Sequence, residues 1–212
     1  MGRSRVFVNG KFAFEHLGGY LPFSLELTSF GVKPGDECVI ALRVDNSDDK
    51  SYPPGKQQSK LDFTYFGGIY RDCWLISTDR IHISDANAAD RTAGGGVFVH
   101  TENLTDKSAD VIVKTDIQND SPLSGKVQLI TTLKDPCGKI VKTVKTPCRI
   151  AAKSFLQKEV SIKVSKPDLW SPETPSLYTV ETSLKSADGR NLDGGITRIG
   201  LKKIEFRGKQ GF

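Results

Sequence analysis

Ala109-Asp110-Val111-Ile112-Val113-Lys114-Thr115-Asp116-Ile117-Gln118-Asn119-Asp120-Ser121-Pro122, followed by Gly125-Lys126-Val127-Gln128-Leu129-Ile130-Thr131-Thr132-Leu133-Lys134-Asp135-Pro136-Cys137-Gly138, sets the fold class. Each run alternates apolar and polar residues with period two and closes on a turn signature, Asn119 to Pro122 and then Asp135 to Gly138. The same rhythm continues outward. Strands are expected over 96–102, 140–146, 155–163, 178–185 and 192–198, with a last segment over 201–206 and a further turn at Ala187-Asp188-Gly189. Seven or so short strands in about 115 residues predict an immunoglobulin-like β-sandwich. No Cys…Trp…Cys core spacing accompanies them, so the disulfide-free, fibronectin-like branch is expected.

Upstream, Val6-Phe7-Val8-Asn9-Gly10-Lys11-Phe12-Ala13-Phe14 predicts a hairpin, because Asn-Gly supplies the two positive-φ positions of a type I′ turn. His16-Leu17-Gly18-Gly19-Tyr20-Leu21-Pro22-Phe23 reads as a loop with aromatics to present. Strands are expected over 24–27 and 37–44, then a long polar loop over 45–60 and an aromatic-dense stretch over 61–72. Strands over 73–77 and 81–84 are expected to close the first unit, residues 1–85. Residues 86–95 are small and polar and read as a linker, 96–207 as the sandwich, and 208–212 as the start of a connection onward.

Composition narrows the function classes. A single Met, 20 Gly and 10 Pro among 212 residues leave almost no stretch with helical periodicity, so the chain reads as all-β. No apolar run is long enough for a membrane-spanning helix, so a soluble chain is expected, and no h-region or cleavage site follows Met1, so any signal peptide is expected to be missing already from this sequence. The compartment stays open, export of the full-length protein to a periplasm or the medium included. Between Lys126 and Lys166 ten Lys or Arg face two acids, Asp135 and Glu159. They alternate with apolar residues and only Phe155 stands among them, which suits the wet face of a sheet rather than nucleic acid. Cys38, Cys73, Cys137 and Cys148 match no metal spacing and are expected as free thiols, Cys38 and Cys73 packed in strands. A Cys137–Cys148 bridge is the alternative in an exported protein. His82 and His100 lie in expected strands far from any Cys, Asp or Glu cluster, so no metal site is expected.

Three blocks carry a resemblance. Asp62-Phe63-Thr64-Tyr65-Phe66-Gly67-Gly68-Ile69-Tyr70-Arg71-Asp72 with Leu75 resembles the signature that ends the sugar-binding domain of glycoside hydrolase family 2, the β-galactosidase, β-glucuronidase and β-mannosidase family. Val6-Phe7-Val8-Asn9-Gly10-Lys11 with His16 to Phe23, and Pro167-Asp168-Leu169-Trp170-Ser171-Pro172-Glu173-Thr174-Pro175-Ser176-Leu177-Tyr178, are similar to two further blocks of that family. The resemblance implies an all-β fragment: part of a galactose-binding-like jelly roll, then an immunoglobulin-like sandwich, ahead of a catalytic barrel. Arg207-Gly208-Lys209-Gln210-Gly211-Phe212 looks like the entry into that barrel, and Gly200-Leu201-Lys202 departs from the family's usual Gly-Phe-Arg.

Retaining hydrolysis needs two carboxylates about 5 to 5.5 Å apart. In the family both are barrel glutamates, one in an Asn-Glu pair, and this sequence holds no Asn-Glu dipeptide. The resemblance therefore implies a non-catalytic accessory region of a glycosidase that acts on terminal β-glycosides. Its partners would be carbohydrate and a barrel in cis, with strand edges left open to pairing with a second copy. It also implies Asp62 as a substrate contact, with any cation held at the barrel mouth and no cofactor in this chain; a hydrogen-bonded loop carboxylate is the competing reading of Asp62. His16 and Tyr20 are candidate sugar-facing residues, with a turn role the alternative for His16. Gly67 and Gly68 would allow close backbone approach beside Tyr70, and Arg71 with Asp72 reads as an internal ion pair. Trp170 and Tyr178, bracketing prolines, read as covers for the sandwich end. A stand-alone carbohydrate-binding module and a protein-interaction sandwich remain as alternatives.

Overall fold

The computed structural model describes residues 2–63, 66–204 and 208–210, and the chain divides into two compact units, Met1–Ile76 and Ser77–Phe212. In the first unit β1 (Arg3–Val8) is the middle of an antiparallel sheet, flanked by β2 (Lys11–Leu17) and β3 (Ile40–Asp45). Asn9 (φ 48°) and Gly10 (φ 78°) make the expected hairpin turn, and Val8 faces Lys11. Asn9 also clasps β3: its amide donates to the Val39 carbonyl and its Oδ1 accepts from the Val39 amide, both at 2.9 Å. Alternation buries Ser4, Val6 and Val8 and turns Arg3, Arg5 and Phe7 outward. On that outer side Arg5 lies 2.5 Å from Glu15.

Three local expectations differ from the structure. His16 belongs to β2, opposite Ser4, rather than to a loop. The strand expected over 24–27 is replaced by a 3-10 turn, Leu27–Phe30, which the Glu26 carboxylate caps by accepting the Thr28 amide. The strand expected over 73–77 is not formed, and Trp74, Leu75 and Ile76 are exposed at 80%, 82% and 69%. Its residues favour strands, but a strand also needs a ladder partner, and among the described residues it has none. Cys73 is accordingly exposed rather than packed, and Cys38 precedes β3.

The second unit is a two-sheet sandwich built from β4 (Ile81–Ile83), β5 (Val97–Glu102), β6 (Ser108–Asn119), β7 (Gly125–Lys134), β8 (Ile140–Ile150), β9 (Ser154–Ser165), β10 (Tyr178–Ser186) and β11 (Asn191–Ile199). β6 pairs with β9 along its whole length, while β4 and β5 share its other edge. The second sheet runs β11-β10-β7-β8. Ala109, Val111, Val113, Val160, Ile162 and Val164 from the first sheet pack on Leu133, Tyr178 and Val180 from the second. A second cluster of Ile117, Val127, Leu129, Cys148, Ile150 and Leu184 fills the other end. Asn119 closes that end: its Nδ2 donates to the Leu123 and Ala151 carbonyls at 2.9 Å, and its Oδ1 accepts the Ser121 amide. The lysine-rich strands do put Lys126, Lys142, Lys145 and Lys163 in solvent. All four cysteines are free.

The boundary between the units also differs. β4 was expected to close the first unit, but it pairs with β6, so the division falls after Ile76 rather than after residue 85. The expected linker holds a single helical turn, α1 (Ala86–Ala89), whose N-cap Asp85 accepts the Asn87 and Ala88 amides. Beyond it the Arg91 guanidinium lies 3.5 Å from the Phe155 ring centroid and pairs with Asp116. Residues 86–95 are thus anchored in the second unit. In the last expected segment Leu201 forms an isolated parallel bridge with Leu169, and Glu205 and Phe206 lie outside the described residues. No described helix is long and apolar enough to cross a membrane.

One long-range ion pair makes the second unit sensitive to acid. Asp79 accepts from Arg190 Nη1 at 2.9 Å across 111 residues of sequence. Burial pushes the Asp79 carboxyl up, but the Arg190 hydrogen bond and charge and the Arg80 and Ile81 amides outweigh it, leaving the carboxyl below its ordinary 3.8. A carboxylate depressed on folding contributes stability that is full above the unfolded value and is lost as pH falls through the folded one. The stability gap between the parent and Asp79→Asn is therefore expected to shrink as pH drops below about 4. Urea unfolding at pH 7 and pH 3 checks this; a gap of the same size at both would refute it.

Candidate functional site

The sequence candidates fall into two groups, one in each unit. In the first, loop 18–23 and loop 66–72 are joined by the Tyr70 hydroxyl, which donates to the Gly19 carbonyl at 2.7 Å. The bond leaves half of the Tyr70 ring in solvent, and Tyr20, next to Gly19, is exposed at 62%. The Arg71 guanidinium lies 5.9 Å from the Tyr70 centroid. The expected Arg71–Asp72 ion pair is not formed, because Arg71 lies over the ring instead. Gly68 takes φ 76°, a turn that a side chain would strain, and Gly67 passes close to Asn46. Thr64 and Tyr65 of this motif lie outside the described residues.

Asp62 is exposed and makes no hydrogen bond or ion pair among the described residues, so its oxygens are open to an incoming donor. His16 is placed differently. Its ring sits against Phe23, centroids 4.8 Å apart, and Phe23 stands edge-on to Phe14 at 5.2 Å. His16 Nε2 is buried without a partner among the described residues. The imidazole therefore serves as a packing ring in an aromatic cluster, while Tyr20 and Tyr70 present flat, half-open faces of the kind that suits the apolar face of a pyranose. The exposed aromatic linked to the Tyr20 loop is thus Tyr70 rather than His16, through a bond between segments 51 residues apart.

In the second unit the Trp170 and Tyr178 block holds the segment that follows β11. The Trp170 amide donates to the Leu201 carbonyl at 3.0 Å, and Lys202 Nζ lies 4.3 Å from the indole centroid. Gly200 runs so close beneath the indole that a Cβ there would sit 2.6 Å from Trp170 Cγ. Tyr178 is buried in the core, and its hydroxyl accepts the Asp168 amide at 3.0 Å. Burial, the largest influence, pushes the Tyr178 phenol up from 10.0, so it stays a neutral hydrogen-bonding group. Among the described residues no group of three or more His, Cys, Asp or Glu is placed to share a metal ion.

The family model for glycosyl hydrolases family 2 matches residues 92–202, just over half the chain. The chain belongs to glycosyl hydrolases family 2. Similarity extends beyond the matched sandwich. A β-galactosidase of Thermoanaerobacter pseudethanolicus is 32% identical over 205 residues, 96% of this family 2 chain and 25% of the relative. A β-glucuronidase of Formosa agariphila is 28% identical over 98% of the chain and 21% of its own length. Among solved structures, Bacteroides uniformis β-glucuronidase 2, covalently bound to cyclophellitol-6-carboxylate aziridine, superposes with a TM-score of 0.85 at 30% identity, over 97% of the chain and 24% of that protein. The chain thus spans about a quarter of the length of the relatives it matches. At 96% coverage the similarity reaches both units of this family 2 chain.

Proposed function

We propose that this chain is a non-catalytic, accessory region of a family 2 glycosidase that hydrolyses terminal β-galactosides, with the two catalytic glutamates on a barrel that these residues do not form. The observation that carries the reading is coverage: nearly the whole chain aligns with about a quarter of a β-galactosidase. An all-β fold without an Asn-Glu dipeptide supports it. In this reading the first unit borders the sugar site. Asp62, exposed and without a hydrogen bond among the described residues, contacts a substrate hydroxyl, and Tyr70, held on Gly19, stiffens the neighbouring loop. Carbohydrate and the barrel are the partners, and a cation, where the full-length enzyme uses one, belongs to the barrel mouth. The solved β-glucuronidase at TM-score 0.85 favours a second reading with β-glucuronides as substrate.

The 212-residue chain alone is expected to release no p-nitrophenol from p-nitrophenyl β-galactoside or β-glucuronide above the buffer rate; turnover by the purified chain would overturn the reading. Calorimetric titration with the uncharged sugars galactose and lactose is expected to give no saturable heat. Binding at millimolar concentration or tighter, lost in Asp62→Ala, would instead make the chain a carbohydrate-binding module in its own right.

A further inference from the structure

β7 and β8 place Lys126 directly opposite Arg149, and one step along Gln128 stands between Pro147 on β8 and Lys185 on β10. Val127 and Cys148, between these residues in sequence, are 5% and 6% exposed and face the core, so the three cations share the outer side of the sheet. They border an open, shallow concavity of about 420 Å³.

Its charge is unbalanced. Two strand cations elsewhere on these sheets meet acids, Lys114 with Glu159 at 3.7 Å and Lys134 with Glu181 at 2.5 Å, whereas Lys142, Lys145 and Lys163 stand singly in solvent. Lys126, Arg149 and Lys185 have no such partner among the described residues, and no carboxylate lines the concavity. The nearest acid in sequence, Asp188, is turned onto the Ser186 hydroxyl and the Arg190 amide. Like charges directly opposite on neighbouring strands repel, so the arrangement stores an affinity for an anion that would sit between them. An Arg fork grips a planar oxyanion through two donors, the Gln128 amide offers both donor and acceptor to hydroxyls, and the Pro147 ring offers an apolar face to sugar C–H groups. Aromatic platforms that would suit nucleobases are missing from this lining.

We infer that the outer face of the β7–β8–β10 sheet, around Lys126, Arg149 and Lys185, binds an anionic oligosaccharide through its carboxylate or sulfate groups, at a site separate from the sugar contact proposed for Asp62. The full chain is titrated by calorimetry with an oligogalacturonate, a sulfated oligosaccharide, an uncharged oligosaccharide and single-stranded DNA of matched charge. One or both of the charged sugars are expected to saturate with Kd below about 1 mM at low salt and to weaken as salt screens the contact. Which of the two binds identifies the group recognised. Arg149→Glu with Lys126→Glu is expected to weaken binding at least about tenfold, and the neutral pair Arg149→Gln with Lys126→Gln gives the same direction if the reversal disturbs folding. Lys139→Glu with Lys163→Glu, which changes net charge equally, should leave it within about twofold. Failure of both charged sugars to bind, equal loss in the control pair, or equally tight DNA binding would overturn the inference. Asp62→Ala should leave this binding intact, so its outcome is independent of the substrate-contact reading.

Discussion

Arg91→Ala is expected to destabilise the second unit by about 3 to 5 kcal/mol, because it strands a buried carboxylate. Asp116 is 1% exposed on β6, and Arg91 is the cation that pairs with it. The Asp116 backbone is committed too: its amide donates to the Gly96 carbonyl and its carbonyl accepts the Ser84 amide, both at 2.9 Å. It therefore marks the point where β4 leaves the β6 edge and β5 takes over, and residues 84–96 form the excursion between them. Arg91 ties that excursion down twice, by charge to Asp116 and by its face to the Phe155 ring. Removing both charges with Arg91→Met and Asp116→Leu should recover most of the loss, since a buried pair replaced by apolar groups is often neutral. Guanidinium unfolding of Arg91→Met, Asp116→Leu and the double closes the cycle. A loss below about 1 kcal/mol for Arg91→Ala, the range of a surface ion pair, would show that water reaches Asp116.

Tyr178→Ala should cost a comparable amount, about 3 to 5 kcal/mol, for a different reason. The ring is 2% exposed and packs with Val111, Ile162, Leu133 and Val180 where the two sheets meet. Its loss opens a cavity that strands held by ladders on both sides cannot collapse to fill. Tyr178→Phe separates ring from hydroxyl: it keeps the packing and leaves only the Asp168 amide without its acceptor, worth about 1 kcal/mol. Phe at this position costing as much as Ala would mean that the hydroxyl contact, and with it the path of Asp168 to Trp170, holds the sandwich end more firmly than packing does. Thermal unfolding of the three proteins side by side decides between them.

Both effects come from residues whose chemical type was visible and whose partners were not. Tyr178 stood out as a large aromatic among prolines, and its position at the start of a strand was readable; that its hydroxyl would take the Asp168 amide was not. Arg91 sat in a stretch of small residues that reads as a linker, because nothing nearby in sequence shows a partner. Its partners are 25 and 64 residues away, on β6 and β9. The same holds at the candidate sugar loop. His16 and Tyr20 read as companions because both fall in one aromatic-bearing segment, yet the strand pleat turns His16 onto Phe23, and Tyr70 reaches Gly19 beside Tyr20 from 51 residues downstream. At the basic face the lysine excess was countable, but only the β7–β8 register set Lys126 against Arg149 and left the pair without an acid.

The sequence alone determined what local chemistry encodes. Period-two alternation marked the strands of the second unit, because a side chain on a half-buried pleat must face either core or water. Asn9-Gly10 marked the hairpin, because few other residues accept two left-handed backbone positions in succession. The motif blocks marked the family. Tertiary structure decided which strand met which: β4 went to β6 of the second unit, and residues 73–77, equally suited to a strand, found no ladder among the described residues. Strand propensity is a property of a segment, whereas a hydrogen-bonded ladder, a buried ion pair or a charged groove belongs to two segments at once, and their meeting is fixed only when the whole core closes around them.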